Sequence, residues 1–147
     1  MKLLYSPYEI DDDVKRIDFL RVHSWLTKSY WSPGISMEKV QRAASHSFLV
    51  IGTYLDNEQI GYLRVVSDSI RFAYILDVYV EKDHRGKGIG QALVQFALNH
   101  PSLQDVPQWT LRTRDAHEVY RRVGFSPIAR VESWLEYLPS AKTSENR

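Results

Sequence analysis

The residues best placed to do chemistry form one run, His84-Arg85-Gly86-Lys87-Gly88-Ile89-Gly90. An apolar stretch from Ala73 to Val80 precedes it, and an amphipathic stretch from Ile89 to His100 follows. The spacing predicts a strand, a basic glycine loop and a helix. The first turn of a helix carries backbone N–H groups without intrahelical partners, and the positive end of the helix dipole. Glycines let such a backbone approach a ligand closely, because no Cβ intervenes. The combination is a phosphate cradle, and Arg85 and Lys87 add positive charge to it.

Two common phosphate motifs are excluded. The dinucleotide fingerprint G-x-G-x-x-G needs a third glycine where Gln91 stands, and it belongs in the first strand-to-helix turn of its domain. Here more than half of the chain comes first. The string G-x-x-x-x-G-K-[ST], which marks a P-loop, occurs nowhere in the sequence. The pattern that fits is [QR]-x-x-G-x-[GA], as Arg85-x-x-Gly88-x-Gly90.

The 147 residues are 44% hydrophobic and 25% charged, which suits a single domain over residues 1–147 with one core. A net charge of +1 points to neither nucleic acid nor a membrane surface as partner. The absence of cysteine excludes disulfides, thiolate catalysis and Cys-based zinc sites. The five histidines show no H-E-x-x-H and no close pairing, so no metal site is expected. Met1 to Ile10 lacks the apolar stretch of a signal peptide, and no apolar run is long enough to span a bilayer. A cytoplasmic protein is expected. Nine tyrosines and four tryptophans are many for this length; they suit either a core or the lining of an acceptor pocket.

The elements that would position the loop follow from periodicity and punctuation. Tyr5 to Ile10 reads as a first strand, and Asp11-Asp12-Asp13 as a solvated turn. Phe19, Val22, Leu26 and Tyr30 fall at helical spacing, with Asp18 as N-cap and Ser32-Pro33-Gly34 as the stop. Ser36 caps a second helix whose inner face is Met37, Val40 and Ala44, with Ile35 and Val40 as a hydrophobic staple. Three strands follow, Ser47–Leu55, Gln59–Ser67 and Arg71–Val80, joined by short turns into an antiparallel meander. After the loop, Ile89, Leu93, Phe96 and Ala97 share a helical face, and Asn99-His100-Pro101 ends that helix. Gln108–Thr113 reads as a strand parallel to the one before the loop, in a βαβ unit. Asp115 to Val123 reads as a short helix, with a capping box from Asp115 to Glu118 and Gly124 at C′. Phe125 to Leu138 is expected to hold a last strand, and Pro139–Arg147 to fray.

This order, with Arg85-x-x-Gly88-x-Gly90 at its centre, resembles the GNAT superfamily of N-acetyltransferases over nearly the whole chain. Asp77-Val78-Tyr79-Val80, the connector Glu81-Lys82-Asp83-His84 and Arg85-Gly86 are similar to the family's fourth strand and its turn. Ala116-x-x-x-Tyr120-x-x-x-Gly124-Phe125 is similar to its later A-x-x-x-Y-x-x-x-G-F element. The resemblance implies an α/β fold with a single mixed sheet, an antiparallel meander followed by a βαβ unit, and central strands that splay apart. It also implies acetyl-CoA as co-substrate and no metal. The backbone of Arg85, Gly86, Lys87, Gly88, Ile89, Gly90 and Gln91 would hold the pyrophosphate. The backbone of Val78 and Val80, around Tyr79, would pair with the pantetheine arm as an added strand would.

The implied reaction is direct attack by a neutral primary amine on the thioester. Tyr120 matches the family's general acid; a tyrosine ordinarily ionises near pH 10 and so is protonated at neutral pH, as a proton donor must be. Its position on an apolar helix face also suits a purely structural aromatic. A glutamate found early in the fourth strand of some members is matched here by Phe72. Asp77 is the nearest carboxylate, and alternation sets it on the opposite face from Leu76 and Val78. It reads equally as a buried structural acid or as a group that orients the incoming amine, and water is the other candidate for the amine's proton. Trp31 and Tyr30, with Trp25, would wall the acceptor site, where aromatic faces attract a cation; Trp25 and Tyr30 also suit the core. His84 and His117 read as surface or satisfied polar residues. Arg112, Arg114, Arg121 and Arg122 read as a solvated face from which one or more would meet the 3′-phosphate of CoA. The expected acceptor is a small-molecule amine. A protein N-terminus or lysine, or a non-catalytic CoA-binding role, is the alternative, and a homodimer is left open.

Overall fold

The apolar runs between residues 49 and 80 form three long antiparallel strands, and the other elements are arranged around them. The computed structural model describes residues 1–139. Their order is β1 (Lys2–Tyr5), β2 (Tyr8–Asp11), α1 (Phe19–Leu26), α2 (Met37–Ser45), β3 (Leu49–Leu55), β4 (Glu58–Ser67), β5 (Ala73–Val80), α3 (Ile89–Leu98), β6 (Trp109–Thr110) and α4 (His117–Arg121). One mixed sheet runs in the order β1-β2-β3-β4-β5-β6. Its first five strands are antiparallel and β6 is parallel to β5, which is the α/β arrangement expected of a meander joined to a βαβ unit. Among the described residues, no helix is long and apolar enough to cross a membrane.

The sheet is covered on both faces. On one, Leu93, Phe96 and Ala97 of α3 pack against Ile51, Leu63, Val65 and Ile75. On the other, Val22 and Leu26 of α1 and Val40 and Ala44 of α2 meet Val50 and Tyr62. Burial of one such side chain contributes about 1.5–3 kcal/mol, so packing rather than propensity holds these short helices. The caps agree with the sequence: Asp18 accepts from the Arg21 N–H and Ser36 from the Lys39 N–H. Gly124, at φ +103°, ends α4. The Phe125 N–H reaches back to the Tyr120 carbonyl and the Gly124 N–H to that of Arg121, the paired bonds of a glycine C′ stop.

Five local expectations are corrected. The first strand is a hairpin: Pro7 has no N–H to give a ladder, so the chain turns at Ser6-Pro7 between β1 and β2. The three aspartates are not a solvated turn. Asp11 is buried and accepts from Arg16, Asp12 binds His100 and the Met1 ammonium, and Asp13 accepts from the Lys15 N–H. Helix α1 ends at Leu26, four residues before Tyr30, because Ser29 and Gly34 bond back to the Leu26 and Thr27 carbonyls. The capping box on α4 does not form. Thr113 accepts from the Ala116 N–H instead, while Glu118 pairs with Arg121. No strand forms between Phe125 and Leu138: Pro127 has no N–H to give a ladder, the chain turns at Ala129-Arg130, and Leu135 and Tyr137 are 95% and 88% exposed. The expected frayed tail lies, apart from Pro139, outside the described residues.

Candidate active site

The site begins where β5 and β6 part. Their pairing is confined to Ala73 with Trp109 and Tyr74 with Thr110, while β5 runs on to Val80. The expected splay is therefore present, and the β5 backbone from Ile75 onward has an edge that β6 does not cover. Midway along that stretch lies a feature that alternation hid. Arg64 opposes Leu76 and Tyr62 opposes Tyr79, so Leu63 faces both Asp77 and Val78. This is a β-bulge, with Asp77 in the left-handed region at φ +57°, where aspartate is tolerated better than most residues. Ala73 and Ile75 pack on the α3 face, and past the bulge Val78 and Val80 do so again, while Tyr79 turns to α1. Without the extra residue, Val78 and Val80 would face the other way.

At the end of β5 the chain enters the glycine loop. Gly86 and Gly88 both sit at φ +79°, which L side chains resist. A Cβ on Gly86 would meet open space, and one on Gly90 would only touch Val119 at 3.8 Å, so alanine also fits at Gly90 as the motif allows. Gly88 is the N-cap of α3 and leaves the helix without a side-chain cap. The N–H groups of Ile89, Gly90 and Gln91 thus have no partner within the helix, and they start a dipole that favours an anion. Arg85 turns its Nε to the Val80 carbonyl at 2.8 Å and lies over the Tyr79 ring. Its charge stands at the strand end, beside the loop. Lys87 is exposed. An uncapped helix start behind two left-handed glycines is an open cradle of backbone donors, and these residues fit a diphosphate.

The second wall is made of side chains from distant segments. Asp77 is the hub. Its Oδ1 accepts from Trp31 Nε1 at 2.9 Å and its Oδ2 from Arg64 Nε at 2.6 Å, and its side chain is 7% exposed. The buried acid therefore has the partners its position demands. Trp31 stands edge-on to Tyr30 with ring centroids 5.0 Å apart. The Tyr30 hydroxyl accepts from the Arg114 N–H at 3.1 Å, and the Arg114 guanidinium covers the Tyr30 ring at 3.8 Å. Trp25 is buried and stacks on Tyr79, so it belongs to the core under the site.

Tyr120 comes to the same place from α4. Its ring packs on the α3-side core and meets Phe125 edge-on. Burial pushes its phenol up to about 12, and the neighbouring Tyr30 and Asp115 add to the rise. Among the expected residues, then, Tyr120, Tyr30, Trp31 and Asp77 form a continuous wall beside the bulge, and the loop lies at the far end of β5. His117 and Arg122 take no part in that wall. Arg112 pairs with Glu136, and Arg121 with Glu118. Phe72 is exposed, one residue before β5. Sequence reasoning missed Arg64, which bonds both Asp77 and Ser47. A cation in an otherwise apolar strand was its only signal.

Comparison with known proteins shows the family and the fold. Residues 44–127 match the acetyltransferase (GNAT) domain family. A crystal structure from Xanthomonas campestris pv. campestris, described as belonging to the GNAT family, superposes with a TM-score of 0.85 at 36% identity, covering 92% of this chain and 96% of that one. A predicted acetyltransferase from Clostridium acetobutylicum, solved with acetyl-CoA, shares the fold at a TM-score of 0.65 and 18% identity, over 94% of this chain and 96% of that one. The streptothricin acetyltransferase A of Bacillus subtilis is 34% identical over 71 residues, 48% of this chain and 39% of that protein. The matched parts span only 22% to 39% of the curated relatives.

Proposed function

The chain belongs to the GNAT family of acetyltransferases, and we propose that it moves an acetyl group from acetyl-CoA to a primary amine on a small molecule. The observation that carries this reading is the pair of left-handed glycines leading into the uncapped start of α3, set at the end of a strand whose edge β6 leaves uncovered. Backbone N–H groups from Gly86 to Gln91 would hold the pyrophosphate, the Arg85 N–H being taken by the Lys82 carbonyl, and the β5 backbone around Val78 and Val80 would align the pantetheine arm. Bound there, acetyl-CoA supplies an activated acyl group.

The side-chain wall does the rest. Trp31 presents an aromatic face to the amine, worth about 0.5–2 kcal/mol to a cation depending on desolvation, and Tyr30, its own ring covered by the Arg114 guanidinium, lines the site beside it. Asp77 acts through Trp31: both of its oxygens are engaged, one by the indole and one by Arg64, so it fixes the ring's position. The attacking amine must be neutral, and water takes its proton. Tyr120 is held protonated by burial and delivers its proton to the departing sulfur.

The test is a panel of amines with acetyl-CoA, read by release of free thiol. Turnover of a small-molecule amine is expected. Turnover of protein lysines or N-termini alone would replace the acceptor class, and CoA binding with no turnover of any amine would leave a binding domain.

A further inference from the structure

The N-terminal hairpin touches the glycine loop twice, from residues some 80 positions away in sequence. Tyr5 and Tyr8 form the closing pair of β1 and β2, and directly opposed residues of a hairpin project from the same face. The Tyr5 hydroxyl donates to the Lys87 carbonyl at 2.8 Å. The Tyr8 hydroxyl bonds His84 Nδ1 at 3.0 Å, with the rings edge-on. Tyr8 is itself anchored, 4% exposed in the α3-side core. The two bonds therefore grip the loop on either side of Gly86. Neither the motif nor the periodicity points to this contact.

Tyr5 holds a peptide unit whose orientation decides what the loop can bind. In a planar trans peptide the C=O and the following N–H point in opposite directions. A Lys87 carbonyl drawn toward the hairpin turns the Gly88 N–H away from it, to the open side of the loop. Gly88 fits this contact closely: a Cβ there would lie 2.6 Å from the Tyr5 hydroxyl, whereas one on Gly86 would meet nothing. A peptide unit that leads into a glycine rotates more easily than most, so an unpinned loop would sample orientations with a carbonyl facing the anion.

We propose that Tyr5, with Tyr8 behind it, is a positioning residue for CoA: it clamps the Lys87–Gly88 peptide so that the loop is preset to accept the pyrophosphate. The inference rests on the donor reading given above. It makes the N-terminal hairpin a working part of the donor site.

The test is Tyr5→Phe, which keeps the ring and removes the hydroxyl. Calorimetric titration with CoA should show affinity about threefold to tenfold weaker, the scale of one lost hydrogen bond. The KM for acetyl-CoA should rise alike, while kcat, the amine KM and the melting temperature stay close to wild type. With acetyl-pantetheine, which lacks the pyrophosphate, Tyr5→Phe and wild type should have equal kcat/KM. Gly88→Ala should also weaken CoA less in the Tyr5→Phe background than in wild type, because the colliding hydroxyl is gone. Equal CoA affinity in Tyr5→Phe and wild type would overturn the clamp, as would an equal loss with acetyl-CoA and acetyl-pantetheine. A wild-type chain that binds no CoA would overturn the donor reading and the clamp with it.

Discussion

The two walls of the site are built from different materials. The proposed donor wall is backbone: the uncovered edge of β5, the bulge at Asp77 and the N–H groups at the start of α3. The proposed acceptor wall is side chains, with Trp31 and Tyr30 from the segment after α1, Asp77 from β5, Arg114 from the segment before α4 and Tyr120 from α4. A backbone site can serve any chain that makes the same turn, because it asks only for glycines and a helix start. A side-chain wall changes with each substitution. On the proposed reading, donor binding rests on a turn that the fold makes, while acceptor choice rests on side chains that the fold brings together.

The contrast breaks most readily at Tyr120. Tyr120→Phe keeps the packing against Phe125 and should lower kcat by about 10²–10⁴-fold, the usual weight of one general acid, with CoA affinity little changed. Stopped-flow acetyl transfer checks this, and a wild-type kcat across the alkaline range would return Tyr120 to a structural role. Asp77→Asn comes next. Asparagine tolerates the left-handed backbone, so the variant isolates the charge. It leaves Arg64, 15% exposed, without its carboxylate, and breaking a buried pair from one side costs about 3–5 kcal/mol. Denaturant unfolding should show that loss, and amine kcat/KM should fall as Trp31 loses its anchor. A stable variant with normal amine kinetics would remove Asp77 from the account.

Trp31→Ala sharpens the division between walls with a smaller effect. It should lower amine kcat/KM about tenfold, within the range for a lost aromatic contact to a desolvated cation, and leave the acetyl-CoA KM alone. A rise in acetyl-CoA KM instead would assign Trp31 to the donor side. The smallest effect is in pH. The Tyr120 phenol ionises near 12 in the fold against 10.0 ordinarily. The unfolded chain therefore releases that proton first, and the stability present below pH 10 declines as pH rises from about 10 toward 12. Tyr120→Phe should flatten this decline in thermal unfolding, whereas an identical decline in both proteins would assign it to other tyrosines.

Much of the donor wall was legible in the sequence because its signals are local. Glycines at fixed spacing, an apolar strand before them and an amphipathic helix after them specify the loop without knowledge of the rest. The bulge escaped because alternation assumes an unbroken period of two, and Asp77 carries no mark of its φ +57°. The first helix was read through to Tyr30 on periodicity, yet Ser29 and Gly34 turn the chain back and free Tyr30 and Trp31 for the site. The strand expected after Gly124 failed for a different reason: an apolar pattern does not make a strand without a neighbour to pair with, and Pro127 has no N–H to give one. Tyr5 and Arg64 act across long sequence separations, which no local pattern encodes.

The glycine loop is proposed to bind the CoA pyrophosphate. Calorimetric titration of CoA into wild type, Gly88→Asn and Gly88→Asp tests it most directly, since asparagine and aspartate share a shape and both tolerate the left-handed backbone. The pair differs by one negative charge set beside the cradle. Gly88→Asp is expected to bind CoA at least about tenfold more weakly than Gly88→Asn, as two like charges within some 6 Å at an effective dielectric near 20 require. Equal affinities for CoA in folded Gly88→Asp, Gly88→Asn and wild type would contradict it.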